Sequence, residues 1–280
     1  MGTAKRERQK QGRQARIEAA RAAQQRSKRF RSVRNFGLIL VAVMAVLFAL
    51  AYFTGSSKKN NVATASGGST TSSAPTPSTV QVTIPAAGAS ITGDTPCPAA
   101  DGSSARTTKF EKAPPTCITA GKTYKATVNT SKGSFTIALD ATAAPKTVNN
   151  FVVLARYHYY DGVAFHRIIP GFMDQTGDAN GPSPGSGSPG YSFADELPTG
   201  SSPYPDGAVA MANAGANTNG SQFFVVVDQG GQQLSPNYSK FGQVTDGLDV
   251  AKTINTAGTS GQDGTPTELI TITSVTITES

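Results

Sequence analysis

The sequence predicts a mainly β domain, a barrel or a sandwich, carried behind an apolar segment and a low-complexity stretch. Three observations predict it. Short runs of alternating, often β-branched residues recur from Tyr124 to Thr278, with turn residues between them. Only two segments in that region carry a helical pattern, and many strands with few helices point to a barrel or sandwich. Ahead of them, residues 36–53 hold no charge, and residues 55–90 hold few bulky apolar side chains.

The formal net charge of +7 is unevenly spread. Residues 1–34 hold twelve Lys or Arg against two Glu, so the tail carries about +10 and the remainder is slightly acidic. A basic tail on a mildly acidic body argues against a nucleic-acid-binding domain. Residues 35–54 read as a transmembrane helix. At about 1.5 Å per residue, the 18 apolar residues 36–53 reach about 27 Å, the depth of a bilayer core. The basic flank places residues 1–34 in the cytoplasm and the bulk of the chain outside. Membrane lipid is thus an expected partner of residues 36–53. Ala49-Leu50-Ala51 resembles a signal-cleavage site. An uncleaved anchor fits better, because the apolar run continues through Tyr52-Phe53 and the basic region is long. Residues 55–90 are rich in Ser, Thr, Gly and Pro and read as a flexible tether.

Residues 91–120 form a lead-in holding Cys97 and Cys117, the only cysteines. Outside the membrane a disulfide is permitted, and a bond stapling this lead-in is the preferred reading. Two cysteines with no nearby His make a poor metal site, and no metal is expected.

The domain is expected over residues 121–280. Tyr124-Lys125-Ala126-Thr127-Val128 alternates, Ser131-Lys132-Gly133 turns, and Phe135, Ile137 and Leu139 alternate again, which is a β-hairpin. Pro145 opens a helix at its favoured first position, with Val148, Phe151, Val152 and Ala155 on one face. Strands are expected near residues 165–169, 173–175, 209–211 and 222–227, a short helix over 248–254, and a closing strand over 267–278. The 177–190 loop is Gly/Ser/Pro-rich but lacks the Gly-Lys-Ser/Thr of a phosphate-binding loop.

Two stretches carry the chemistry. Phe165-His166-Arg167-Ile168-Ile169-Pro170-Gly171-Phe172-Met173-Asp174-Gln175 sets one arginine among hydrophobes, with an amide close by. Met211-Ala212-Asn213-Ala214-Gly215-Ala216-Asn217-Thr218-Asn219-Gly220-Ser221-Gln222-Phe223-Phe224 is a Gly/Asn loop running into an apolar strand. Together they resemble the signature of the cyclophilin family of peptidyl-prolyl isomerases, and the resemblance spans roughly residues 121–280. It implies an eight-stranded antiparallel barrel capped by two helices, proline-containing polypeptides as partners, no cofactor, and a monomer.

Rotating an X–Pro bond breaks no covalent bond, so it requires no nucleophile or metal. The barrier of roughly 18–20 kcal/mol comes from amide resonance. A donor that favours the twisted amide, beside an apolar grip on the proline ring, lowers it. By resemblance Arg167 is the donor, with Phe172, Gln175 and Asn213 completing the catalytic set. Met173, Phe224, Leu234 and Tyr238 would wall the proline pocket. Gly185, Ala212, Ala214 and Gln222 would line the groove. Tyr238 stands where many relatives carry a histidine, and Gln233 where they carry a tryptophan. The lost indole N–H counts against tight cyclosporin binding, not against isomerisation. Thr176 replaces a usual glycine. His158 and His166 read as structural, since strand alternation turns His166 away from Arg167. The expected function is isomerisation during folding of exported or surface proteins of a bacterium. A proline-peptide binding module without turnover, or a surface structural protein on the same fold, are the rivals.

Overall fold

The computed structural model describes residues 81–181, 183–200, 203–259 and 263–280. The expected basic tail, membrane span and most of the tether lie outside them. Among the described residues no helix is long and apolar enough to cross a membrane.

Among the described residues ten strands and two α-helices follow in order: β1 (Ala89–Ile91), β2 (Thr107–Phe110), β3 (Tyr124–Thr130), β4 (Gly133–Leu139), α1 (Pro145–Arg156), β5 (Arg167–Ile169), β6 (Met173–Thr176), β7 (Ala208–Met211), β8 (Phe223–Val226), β9 (Lys240–Asp246), α2 (Leu248–Asn255) and β10 (Ile272–Glu279). A 3-10 turn occupies Gly230–Gln233. Strands β3 to β10 form one eight-stranded sheet, ordered β10-β3-β4-β9-β7-β8-β6-β5, and every pairing in it is antiparallel.

The expected eight-stranded antiparallel barrel is a half-barrel here, because the ladder stops at β5 and β10. The two edges meet through an isolated bridge, Ala164 to Thr271, and the backbone bonds from Phe165 N to Ile270 O at 2.9 Å, from Ile272 N to Val163 O at 2.8 Å and from Gly162 N to Ile272 O at 2.8 Å. The result is a half-barrel with a stitched seam. The closing strand also begins at Ile272 rather than at residue 267. Thr267 N is instead drawn to Ala257 O at 2.7 Å, at the end of α2.

Helix α1 begins at Pro145, as its fixed φ favours. Val148, Phe151, Val152 and Ala155 are buried, but so are Val153 and Leu154 on the other side. The reason lies in the lead-in, which covers the face an isolated barrel would leave wet. Asn149 accepts from Cys117 N at 2.7 Å and Ile118 N at 3.2 Å, and donates to Pro115 O at 2.8 Å. The helix N-terminus is closed by Glu196, whose carboxylate accepts from Lys146 N at 3.0 Å and Thr147 N at 2.8 Å. A carboxylate there satisfies orphan donors and meets the positive end of the helix dipole. Inside the sheet, Phe151 stacks on Tyr160 at 5.2 Å and meets Phe223 at 5.4 Å and Phe241 at 5.2 Å.

The lead-in holds more structure than its sequence announced. Strands β1 and β2 pair in parallel, so residues 89 and 90, expected at the end of the tether, belong to the fold. Phe110 enters the core. Cys97 and Cys117 are joined by a disulfide with Cα atoms 5.5 Å apart. His158, at φ 54°, donates from Nε2 to Gly102 O at 2.8 Å, which ties the lead-in to the end of α1.

Candidate active site

Strand alternation places the site. Arg167 of β5 lies opposite Gln175 of β6, Gln175 opposite Phe224 of β8, and Phe224 opposite Ala210 of β7. Opposed residues share a face, so these four form one row across the outer surface of the sheet. One pleat along, Ile169, Met173 and Val226 form a second row. Residues between them, Ile168, Asp174 and Val225, turn inward. The outer rows build an apolar cluster separate from the main core, made of Met173, Tyr204, Ala208, Ala210, Phe224 and Val226. Phe172, Ala212, Leu234 and Tyr238 pack around it. With apolar volume on both faces, β7 and β8 are buried along their whole length.

A cavity of about 240 Å³ opens on this cluster, lined by Arg167, Phe172, Met173, Gln175, Ala212, Asn213, Phe224, Leu234 and Tyr238. Its walls are five apolar or aromatic side chains and a tyrosine, and its rim holds one guanidinium. Tyr238 meets Phe224 edge to face at 5.4 Å, and its backbone is pinned by Tyr204, whose hydroxyl donates to Tyr238 O at 2.7 Å. A second cavity of about 290 Å³ shares Gln175, Ala212 and Asn213 with the first and adds Gly185, Ser186, Gly187, Ala214 and Gln222. A larger furrow of about 870 Å³ runs along β4 and β9. It is open, and its Glu196 is already committed to α1, so no convergent donor set marks it as the site.

The two cavities are joined by a relay of amides. Arg167 donates to Gln175 Oε1 at 3.3 Å, Gln175 Nε2 donates to Gln222 Oε1 at 3.1 Å, and Gln222 Nε2 donates to Gly185 O at 2.9 Å and Gly187 O at 3.0 Å. An amide relay orients a guanidinium without cancelling its charge. The loop that supplies those carbonyls is wound around Asp178. Its carboxylate accepts from Gly181 N at 2.9 Å, Asn180 N at 3.2 Å and Gly187 N at 2.9 Å.

All twelve expected groove residues border one or both cavities, though not all in the expected way. The Asn213 side chain bonds locally, donating to Asn237 O at 2.9 Å and accepting from Gly215 N at 3.2 Å. His166 packs beneath Gly185, where an added Cβ would stand 3.1 Å from the ring. Burial holds its pKa below the usual histidine value. Thr176 turns its hydroxyl to Ala164 O at 2.9 Å, inside the fold. Sequence reasoning missed Asp174, Asp178, Tyr204 and Asn255. Asp174 sits between Met173 and Gln175 with its carboxyl on the inner face, where burial lifts its pKa to about 7. Asn255 Nδ2 donates to Asp174 Oδ1 at 2.7 Å and to Ile169 O at 3.0 Å, while Asn255 Oδ1 accepts from Gly171 N at 2.7 Å. One amide thereby fixes the turn of the hairpin that carries Arg167 and Phe172. A lone charged residue within the run Phe172-Met173-Asp174-Gln175 was the available signal.

The model of the family described as cyclophilin type peptidyl-prolyl cis-trans isomerase/CLD matches residues 125–277. The chain belongs to the cyclophilin family. A probable peptidyl-prolyl cis-trans isomerase A of Mycobacterium leprae is 43% identical over 172 residues, covering 54% of this chain and 91% of that protein. A peptidyl-prolyl cis-trans isomerase-like 1 of Aspergillus oryzae is 44% identical over 136 residues, covering 48% of this chain and 84% of that protein. Among solved structures, a Cryptosporidium parvum cyclophilin type isomerase matches with a TM-score of 0.51 at 30% identity, covering 56% of this chain and 98% of that one. The same isomerase crystallised in the presence of the dipeptide Ala-Pro matches with a TM-score of 0.50 at 31% identity. The family's reaction, cis–trans rotation about X–Pro peptide bonds, is the activity of this domain.

Proposed function

We propose that the 240 Å³ cavity takes the proline ring and that Arg167 is the catalytic donor. The observation that carries this reading is the single guanidinium set on the rim of an apolar cavity and steadied by Gln175 Oε1. As the X–Pro bond twists, resonance is lost and the proline nitrogen gains lone-pair character. A cation favours that charge distribution over the planar ground state, which is differential stabilisation of the transition state. Phe172, Met173, Phe224, Leu234 and Tyr238 hold the ring while the preceding carbonyl swings. The second cavity, with Gly185, Ala212, Ala214 and Gln222, takes an adjoining part of the polypeptide.

The setting is also part of the proposal. Residues 36–53 anchor the chain in a bacterial membrane by a single helix, and residues 55 to about 85 tether a monomeric domain on the outer side. There it acts on exported or surface polypeptides at slow X–Pro steps. The disulfide fits an oxidising compartment.

The test is cis–trans exchange of a blocked Ala-Pro peptide with the full chain. Arg167→Ala is expected to lower kcat/KM about 100-fold, as removal of one preorganised donor does. Binding of the peptide without acceleration by the unaltered chain would turn the reading to a binding module. Equal rates for both proteins would remove Arg167 from the mechanism. Membrane fractionation of chains with and without residues 36–53 tests the anchor, and release of the domain only on deletion is the expected result.

A further inference from the structure

We infer that the lead-in is a positioning element for the substrate groove: β2 braces the 177–190 loop from behind and so sets the shape of the second cavity. This rests on the groove assignment proposed above. The matched family region starts at residue 125, so the brace comes from outside it.

The loop is held from three sides. From within, the Asp178 carboxylate gathers three of its amides. On the groove side, Gln222 holds the carbonyls of Gly185 and Gly187. The third side is β2. Asn180 donates from Nδ2 to Thr108 O, and Phe110 N donates to Pro189 O at 2.8 Å, so the brace grips both ends of the loop. The approach at Gly190 is so close that a Cβ there would stand 2.2 Å from Phe110 O, and its φ of +111° independently calls for glycine. The Phe110 ring is itself fixed between Tyr157 at 5.4 Å and Tyr191 at 6.3 Å. Strand β2 lies wholly within the segment closed by the Cys97–Cys117 disulfide, which keeps the brace folded against α1.

The relay gives the brace its consequence. The carbonyls of Gly185 and Gly187 hold the Gln222 amide, which lines the second cavity. The proline cavity takes none of its walls from this loop, whereas the second cavity takes Gly185, Ser186, Gly187 and Ser188 from it. Loosening the brace therefore acts first on substrates long enough to use the second cavity. Asn180 touches neither cavity and is a positioning residue, not a catalytic one.

The test uses the full chain and two peptides, a blocked Ala-Pro dipeptide and one extended by three residues on either side. Asn180→Asp keeps the shape of the side chain but puts an oxygen against Thr108 O where a donor stood. It is expected to raise KM for the extended peptide about five-fold, the value of one lost hydrogen bond, at unchanged kcat. The dipeptide rate stays within twofold of the unaltered chain, an expectation set by the separate walls of the first cavity. The paired variant Cys97→Ser with Cys117→Ser is expected to shift KM the same way. Equal effects on both peptides, or none on the extended one, would overturn the inference. Arg167→Ala, run alongside, separates it from the groove reading. Loss of both activities there with no peptide-length effect in Asn180→Asp would sink the brace and leave the site intact.

Discussion

Replacing Asp174 by asparagine converts a buried acid into a group of the same shape that cannot ionise. The unaltered carboxyl has a pKa raised from 3.8 to about 7 by burial, with only the Asn255 amide working the other way. The folded protein therefore keeps a proton that the unfolded chain releases above about pH 4. Stability from this group is full below 3.8, falls as pH rises from there to about 7, and is level beyond it. Between pH 5 and pH 7 the folded state holds close to one extra proton. At about 1.4 kcal/mol per pH unit that is a loss on the order of 3 kcal/mol. Asparagine loses nothing over the same range, and any cost of its unpaired amide is independent of pH. His166 has the opposite slope, since its lowered pKa makes stability fall as pH drops below 6.5, but it is present in both proteins and cancels. The assay is thermal unfolding at pH 5, 6, 7 and 8. The variant's Tm should rise relative to the unaltered chain by about 6–12 °C between pH 5 and pH 8, taking about 2–4 °C per kcal/mol for a domain of this size. A Tm difference that is flat across that range would refute the burial argument.

Other expectations follow from single contacts. Glu196→Ala leaves the donors of Lys146, Thr147 and the Thr147 hydroxyl without their acceptor; a loss of about 2 kcal/mol is expected in a denaturant titration. Leu234→Ala opens one wall of the proline cavity while touching little of the main core, so KM for an Ala-Pro peptide should rise about ten-fold with Tm nearly unchanged. Removing the disulfide with serines at Cys97 and Cys117, 20 residues apart, should lower stability by about 3 kcal/mol, read as an earlier unfolding midpoint in urea.

The legibility of the fold varied for physical reasons. The hairpin of β3 and β4 and helix α1 were readable because their patterns are local, a strict alternation around a Gly turn and a Pro-led helical spacing. Strand β9 was hidden. In Lys240-Phe241-Gly242-Gln243-Val244 the two apolar side chains, Phe241 and Val244, stand three residues apart with Gly242 between them, so no period of two marks the strand. Strands β1 and β2 were hidden because they are three and four residues long, pair with each other across a long connection, and rely on β2's distant backbone partners at Pro189 and Tyr157. The apolar walls and the arginine of the site could be named from sequence. The amide relay could not, since Gln175 and Gln222 are brought together only by the β6–β8 pairing. Asp174 was not singled out because its burial depends on the helix packed behind it, which its own short strand does not announce.

The pleat assigns opposite duties to neighbouring residues in this hairpin. Gln175 faces outward and meets the guanidinium with a neutral oxygen, which orients the cation. A carboxylate in that position would orient it equally well and neutralise it. The hairpin does carry a carboxyl one residue away, but alternation sends Asp174 to the inner face and burial favours its protonated form up to about pH 7. The next acid, Asp178, is occupied by backbone amides of the 177–190 loop. The pleat thus sets one outward amide, one inward acid and one acid wrapped in amides within a few positions of each other, and only the amide shares the face of the guanidinium.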